Sequence, residues 1–216
     1  MPKEIWGVDS AAKVTDKLYS CVVDNFGKPK YWGRYLSTVQ NASDGLTNEE
    51  VGFLHEKNVK ILLIYNNFSA AVGNRNGRVA ALNATHHARR LGVPDGTFIF
   101  ANIEKFFDVD EAWIRGWVNA LYTSGYRPGI YADPSKANFN KAYCTAVSNE
   151  AKIGEQVVIW SQEPTPGATT KAKAPTYKPI SPPCIAHVWA WQYGENAKTC
   201  PIDTNLMEPK LFQAIW

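Results

Sequence analysis

The fold is decided by residues 60–104, which read KILLIYNNFSAAVGNRNGRVAALNATHHARRLGVPDGTFIFANIE. The segment begins and ends with a short apolar run, KILLIY and TFIFANIE. Between the two runs, small and apolar residues recur at helical spacing: Ala80, Ala84, Ala88 and Leu91. Strand, helix and strand in this order make a βαβ unit, whose two strands run parallel.

The same alternation extends over the rest of the chain. Further short runs are IWGVD from Ile5, YWGRYL from Tyr31, PGIYAD from Pro128, VVIWS from Val157, HVWAWQY from His187 and PIDTN from Pro201. Helical patterns fill the first five gaps, whereas residues 162–183 are rich in Pro, Thr, Ala and Lys and show no apolar period. We therefore predict an α/β fold, an irregular TIM-type (β/α) barrel with five βα units followed by three strands with poor helices.

In this interpretation residues 1–216 form one barrel domain, closed by eight parallel strands. An open doubly wound sheet is the alternative. The first strand is followed by VDSAAK rather than by a glycine-rich turn, so the sequence gives a dinucleotide-binding sheet little support.

Local signals predict several helix ends and packing positions. Thr47 and Glu50 have capping-box spacing, and Asp110 precedes a helical pattern as a candidate N-cap. Trp113 and Trp117 lie four residues apart on that helix, so we predict that they pack between the helices and the barrel.

Composition narrows the functional classes. The 216 residues are 45% hydrophobic, the net charge is +3, and no run of like charges marks a nucleic-acid binder. No apolar stretch is long enough to insert into a membrane, and MPKEIWGVDS lacks the features of a signal peptide. We therefore expect a cytoplasmic protein, or one released or secreted by a non-Sec route from a bacterium or phage. The sequence leaves the oligomeric state open.

The four cysteines lack the Cys-x-x-Cys spacing of zinc or thioredoxin sites. We predict free thiols, with Cys184 and Cys200 as the only pair considered for a disulfide. His86 and His87 are adjacent on a predicted helix and point in different directions, so they do not form a metal site. The sequence predicts neither a metal nor a cofactor.

Polar residues stand where the predicted strands end, and in a barrel these ends meet at one mouth. Asn102 and Glu104 are two residues apart in TFIFANIE and therefore face the same side. Burial at an aromatic-lined mouth raises the pKa of a carboxyl group, which favours the protonated form of a general acid. Glu104 is therefore the candidate acid for a glycosidic oxygen, with Asn102, Asp9 and Asp203 as further catalytic candidates.

Each acidic residue also has a structural interpretation. Glu104 is alternatively a solvent-facing residue paired with Lys105. Asp9 is alternatively the N-cap of the first helix, Asp133 a cap of the fifth, and Asp203 a turn residue.

The chain is rich in Trp and Tyr, with eight and ten residues respectively. Sugars stack their C–H faces on such rings and exchange hydrogen bonds with amides and carboxylates. The predicted substrate-binding residues are Tyr35, Tyr65, Tyr131, Asp133, Trp160, Gln192 and Tyr193.

The order of GVDSA, FIFANIE, GIYADP, VVIWSQ and VWAWQYGENAKTCPIDTN resembles the glycoside hydrolase family 25 lysozymes over nearly the whole chain. WGVDSA followed by YWGRYL is similar to a related bacterial glycoside-hydrolase-like domain of unknown function found in cell-wall-associated proteins. The resemblance implies cleavage between N-acetylmuramic acid and N-acetylglucosamine in peptidoglycan, without a metal or cofactor.

The resemblance also implies residue roles. The lysozymes carry an Asp-x-Glu motif on the fourth strand; Glu104 matches the proton donor, but Asn102 stands at the Asp position. Asp9 and Asp203 match acidic residues that line the site. A neutral amide supplies neither the charge nor the nucleophile that an oxocarbenium-like transition state needs. The hypotheses are therefore a glycoside hydrolase acting on peptidoglycan or a related N-acetylated glycan, a non-catalytic carbohydrate-binding barrel, and a structural protein without sugar affinity.

Overall fold

The computed structural model describes residues 4–216 and contains a closed barrel of eight strands in chain order. The strands are Ile5–Asp9 (β1), Tyr31–Tyr35 (β2), Lys60–Tyr65 (β3), Phe98–Asn102 (β4), Arg127–Ala132 (β5), Val158–Gln162 (β6), His187–Gly194 (β7) and Asp203–Met207 (β8). The predicted TIM-type α/β barrel is confirmed.

Helices cover the outside of the barrel. They are Asp16–Phe26 (α1), Asn48–Glu56 (α2), Asn74–Arg90 (α3), Glu111–Thr123 (α4), Ala137–Asn149 (α5), Lys152–Gln156 (α6) and Pro209–Phe212 (α7). Between β6 and β7 the described chain forms only a short 3-10 helix, Lys171–Lys173, as the missing apolar period predicted. None of the helices in residues 4–216 has the length and apolar character needed to cross a membrane.

The predicted N-caps Thr47 and Asp110 are confirmed, but the capping box is incomplete, because the Glu50 carboxylate accepts the Val14 N–H and pairs with Arg34 instead of accepting the Thr47 N–H. The Thr47 hydroxyl accepts the N–H of Glu50 at the start of α2, and the Asp110 carboxylate accepts that of Trp113 at the start of α4. Trp113 and Trp117 are fully buried and stacked, with ring centroids 5.8 Å apart. The Trp117 indole N–H donates to the Gly129 carbonyl of β5, which attaches α4 to the barrel wall.

The direction of β8 differs from the prediction of eight parallel strands. Strands β1 to β7 are parallel to one another, whereas β8 is antiparallel to both β7 and β1. Only residues 195–202 connect β7 to β8, and a parallel return requires a crossover of about a dozen residues or more. An antiparallel strand starts where its neighbours end, so Asp203, the first residue of β8, pairs with Asp9, the last residue of β1.

Side chains alternate between the barrel interior and the layer under the helices, because successive strand residues point to opposite faces. In β3, Leu62 and Ile64 belong to the interior cluster, while Ile61, Leu63 and Tyr65 belong to the outer one. Large rings fill the lower and middle interior, among them Phe98, Phe100 and Trp160. The interior is therefore packed, and the remaining space lies at the mouth.

A fully buried ion pair ties together the first two loops at the mouth. Arg34 in β2 contacts Glu50 in α2 at 2.6 Å, and neither side chain is exposed. The Arg34 guanidinium also donates to the carbonyls of Ser10 and Asp44. Because each of the three guanidinium nitrogens of Arg34 has an acceptor, charge-assisted hydrogen bonds offset the desolvation of this pair. These bonds fix the chain directly after Asp9.

The prediction of free thiols is wrong. Cys21 in α1 is bonded to Cys200, and Cys144 in α5 to Cys184, with Cα atoms 6.1 and 5.7 Å apart. Cys184 and Cys200, the pair considered from the sequence, are therefore not bonded to each other. Disulfide partners are set by proximity in space, and the barrel brings the two helices beside the loops on either side of β7.

Candidate functional site

A polar cavity of about 230 Å³ opens at the barrel mouth. It is lined by the hydrophobic Ile64 and by eight of the predicted site residues, which are Asp9, Tyr35, Asn102, Glu104, Tyr131, Trp160, Gln192 and Asp203. The cavity therefore brings together all four predicted catalytic candidates. They come from β1, β4 and β8, strands that are far apart in the sequence.

The Asn102 and Glu104 side chains are in contact. Asn102 ends β4, and its Nδ2 donates to Glu104 Oε1 at 3.0 Å. This bond occupies one carboxyl oxygen, so Oε2 is the oxygen left to carry a proton toward a ligand. Burial raises the pKa of Glu104; the Asn102 hydrogen bond opposes this shift, the negative charge of Glu195 adds to it, and Lys105 again lowers the pKa.

Asp9 and Asp203 form a second acidic group on the other side of the mouth. Gln192 Nε2 donates to Asp9 Oδ1 at 3.1 Å and to Asp203 Oδ2 at 3.3 Å, so one amide bridges the two carboxyl groups. Asn205 Nδ2 donates to Asp9 at 2.6 Å, and the Asn196 N–H donates to Asp203 at 2.6 Å. Neither aspartate caps a helix, since the cap of α1 is Thr15.

Burial raises the pKa values of both aspartates. For Asp9 the hydrogen bonds from Asn205 and Gln192 oppose this shift, whereas for Asp203 the charge of Asp9 adds to it. Two carboxyl groups bridged by one amide repel each other when both are ionised. The pair therefore holds a proton more strongly than two exposed aspartates, and its two ionisations are coupled.

Aromatic side chains form the walls and support the polar groups. The Tyr131 hydroxyl donates to Gln192 Oε1 at 2.8 Å, and the Trp160 indole N–H donates to Asn205 Oδ1 at 3.0 Å. A Cβ atom at Gly33 in β2 would lie 2.6 Å from Asp9 Cβ and 3.2 Å from the Trp160 ring. Because Gly33 has no side chain, Asp9 and Trp160 can occupy the space beside it.

Three predicted substrate-binding residues lie away from the cavity. Tyr65 points outward and stacks on Trp117, because it alternates with the inward-facing Ile64. Tyr193 follows Gln192 and therefore faces the other side of β7, where its hydroxyl accepts the Trp6 indole N–H at 2.9 Å.

Asp133 is the third, and it comes after the end of β5. Its carboxylate accepts the N–H and the hydroxyl of Ser135, so it closes the turn that precedes α5. It does not cap α5, whose N-cap residue is Lys136. The assignment of these three side chains to a substrate site is therefore corrected.

The cavity belongs to a chain whose residues 28–205 match the family model of the Rv2525c-like, glycoside hydrolase-like domain. The chain belongs to this family. No curated protein is significantly similar to it. Within residues 4–216 of this Rv2525c-like domain, no three His, Cys, Asp or Glu side chains are grouped to hold a metal ion.

Several solved structures share the fold of the domain. It is similar to a protein of B. stearothermophilus solved at 1.07 Å, with 56% identity, a TM-score of 0.97 and coverage of 98% of this chain and all of the other. The catalytic domain of endolysin ply40 from bacteriophage P40 of Listeria monocytogenes is 16% identical with a TM-score of 0.58, covering 99% and 97% of the two chains. A family 25 glycosyl hydrolase from Bacillus anthracis is 13% identical with a TM-score of 0.55, covering 97% and 92%. The fold is thus glycoside hydrolase-like and resembles that of lysozymes.

Several cavity residues of the Rv2525c-like domain were not among the predicted site residues. They are Lys105, Gln162, Glu195 and Asn196. Gln162 ends β6, and Glu195 directly follows β7, so both obey the strand-end rule that selected Glu104. A strict application of this rule to the sixth and seventh strands finds them from the sequence.

Proposed function

We propose that this domain is a glycoside hydrolase that acts on peptidoglycan or a related N-acetylated glycan, with Glu104 as its general acid. The observation that carries the proposal is the half-buried Glu104, whose pKa is raised, facing the same cavity as Asp9 and Asp203. The structural similarity to the catalytic domain of an endolysin and to a family 25 glycosyl hydrolase supports this reaction class.

In the first step Glu104 donates its proton to the glycosidic oxygen as the bond to the anomeric carbon breaks. The electron pair of that bond goes to the oxygen, which leaves as the hydroxyl group of the departing sugar. Positive charge develops on the sugar ring that remains bound, and the carboxyl groups of the cavity stabilise this cationic ring more than a neutral one.

Asn102 has no negative charge, so it does not act as a nucleophile. An N-acetylated sugar carries its own nucleophile, the acetamide oxygen, which attacks the anomeric carbon and forms a cyclic intermediate. Asn102 Oδ1 has no hydrogen-bond partner among the described residues, and we infer that it accepts the acetamide N–H. Water then attacks the anomeric carbon and opens the cyclic intermediate, while the Glu104 carboxylate takes a proton from that water and becomes the acid again. Because the anomeric carbon is attacked twice, its configuration is retained.

Reducing-end release from purified peptidoglycan, followed by mass spectrometry of the products, tests the proposal. Glu104→Gln keeps the acceptor for Asn102 but cannot donate a proton to the leaving group. We expect at least an approximately hundredfold loss of turnover, the lower end of what general acid catalysis contributes. Equal release by the native protein and the variant would contradict the proposed role of Glu104.

The second candidate function is a non-catalytic carbohydrate-binding barrel, and the neutral side chain of Asn102 favours it. It predicts saturable binding of chitin oligomers or muropeptide fragments by calorimetry, with no product formed and no effect of Glu104→Gln. Tyr35→Ala, which removes a half-buried ring of the cavity wall, should weaken that binding. Product formation by the native protein excludes this function.

A further inference from the structure

The cavity contains a fourth carboxyl group that no role has yet been given. Glu195 lies in the loop between β7 and β8 and faces the same space as Glu104, Asp9 and Asp203. Its Oε1 accepts a hydrogen bond from Nε2 of the buried Gln162, at the end of β6. The carboxylate is therefore held against the cavity wall rather than free in solvent.

The loop that carries Glu195 is anchored on both sides. The next residue, Asn196, adopts a left-handed conformation with φ of 53°, and its N–H donates to Asp203 Oδ1 at 2.6 Å. Further along, Cys200 is bonded to Cys21 in α1. The position of Glu195 is thus set by the backbone and by a covalent cross-link.

The charge of Glu195 acts on every other carboxyl group of the cavity. Burial is the main cause of the raised pKa values of Glu104, Asp9 and Asp203, and the negative charge of Glu195 adds to each of them. Lys105 is the one cation among the cavity-lining residues described, and it acts on Glu104 in the opposite direction. The other titratable groups that face Glu104 are the Asp203 carboxyl group and the hydroxyls of Tyr35 and Tyr131.

We propose that Glu195 supplies the negative charge that Asn102 lacks, and that it stabilises the cationic sugar formed as the glycosidic bond breaks. This inference rests on the proposed hydrolase function. Glu104 transfers the proton, and the acetamide oxygen of the sugar forms and later loses the bond to the anomeric carbon. Glu195 takes no part in bond making and acts through its charge alone. Gln162 is a positioning residue that holds the Glu195 carboxylate in place.

The test is Glu195→Gln, which removes the charge but retains an acceptor for Gln162. We expect kcat for reducing-end release to fall about hundredfold, in the range for loss of one preorganised charge interaction, with KM changed less than about threefold. The alkaline limb of the pH–rate profile should move to lower pH, because Glu104 loses a negative neighbour and its pKa falls. A residue that served only to hold the loop would not move this limb.

Glu155→Gln is the matched control, because it removes the same charge at an exposed position. Glu155 lies in α6, which precedes β6 and is therefore at the end of the barrel opposite the cavity. Its turnover and pH profile should equal those of the native protein. A Glu195→Gln variant within threefold of native kcat, or with an unmoved alkaline limb, overturns the inference while the proposed function stands. Absence of turnover by the native protein contradicts both, so the turnover of the native protein separates the two cases.

Discussion

At the scale of single residues, the site is defined by carboxyl groups that hold protons at unusually high pH. Burial and mutual repulsion raise the pKa of Asp203 to about 8 and burial raises that of Asp9 to about 6. In the unfolded chain both groups titrate near their ordinary values, at about pH 4. Between these limits the folded protein binds more protons than the unfolded chain, so this pair contributes stability that is lost as the pH rises toward 8.

Replacing Asp203 should weaken this dependence, because only the shift that burial causes at Asp9 then remains. We expect Asp203→Asn to be stabilised relative to the native protein, by an amount that grows as the pH rises from about 4 to about 8. Urea denaturation at several pH values measures the difference, and Asp24→Asn, a change at an exposed position of α1, should show no such trend. Parallel pH profiles for the native protein and Asp203→Asn would contradict the assigned coupling.

At the scale of elements, α3 and α4 cross in close contact because each carries a glycine at the crossing. A Cβ atom at Gly77 would lie 2.2 Å from the Trp113 carbonyl oxygen, and one at Gly116 would lie 2.2 Å from that of Asn74. Backbone atoms are rigid, so the helices would have to separate to admit a methyl group.

We therefore expect Gly116→Ala to lower the free energy of unfolding by about 1–3 kcal/mol, the usual cost of overpacking. Gly52→Ala is the matched control, because Gly52 is exposed within α2 and a Cβ there meets no atom within 4 Å. That variant should gain about 0.5–1 kcal/mol from helix propensity. Chemical denaturation of both variants checks the prediction, which fails if the two alanines act in the same direction.

At the scale of the whole molecule, the two disulfides close loops of very different length. Cys21 and Cys200 are separated by 179 positions in the sequence, and Cys144 and Cys184 by 40. The first joins α1 near the beginning of the chain to the loop between β7 and β8, which also carries Glu195.

Reduction should therefore destabilise the protein. Removing either bond by a double Cys→Ser change is expected to cost about 2–5 kcal/mol, with the larger cost for the Cys21–Cys200 pair in the chain-entropy account. Thermal unfolding with and without dithiothreitol measures the effect, and a protein lacking all four cysteines serves as the control that should not respond to the reductant. An unchanged midpoint on reduction of the native protein would show that the bonds do not contribute.

The sequence alone was sufficient for the barrel and for most of its mouth. Apolar runs identified seven of the eight strands, and the ends of these runs located Asp9, Asn102, Glu104 and Gln192, whereas the short eighth strand has no periodic signal of its own. These features are local, since a strand or a helix needs only its own periodicity to be recognised. The same alternation, applied within β3 and β7, would have excluded Tyr65 and Tyr193.

Tertiary structure decided the rest, because these features depend on which distant segments meet. The antiparallel direction of β8 sets Asp203 opposite Asp9, the barrel closure brings Glu195 toward Glu104, and the helix packing selects the disulfide partners. The raised pKa values likewise arise only from burial and from charges contributed by separate strands. Contacts between residues far apart in the chain have no periodic signal in the sequence, so only the closed barrel reveals them.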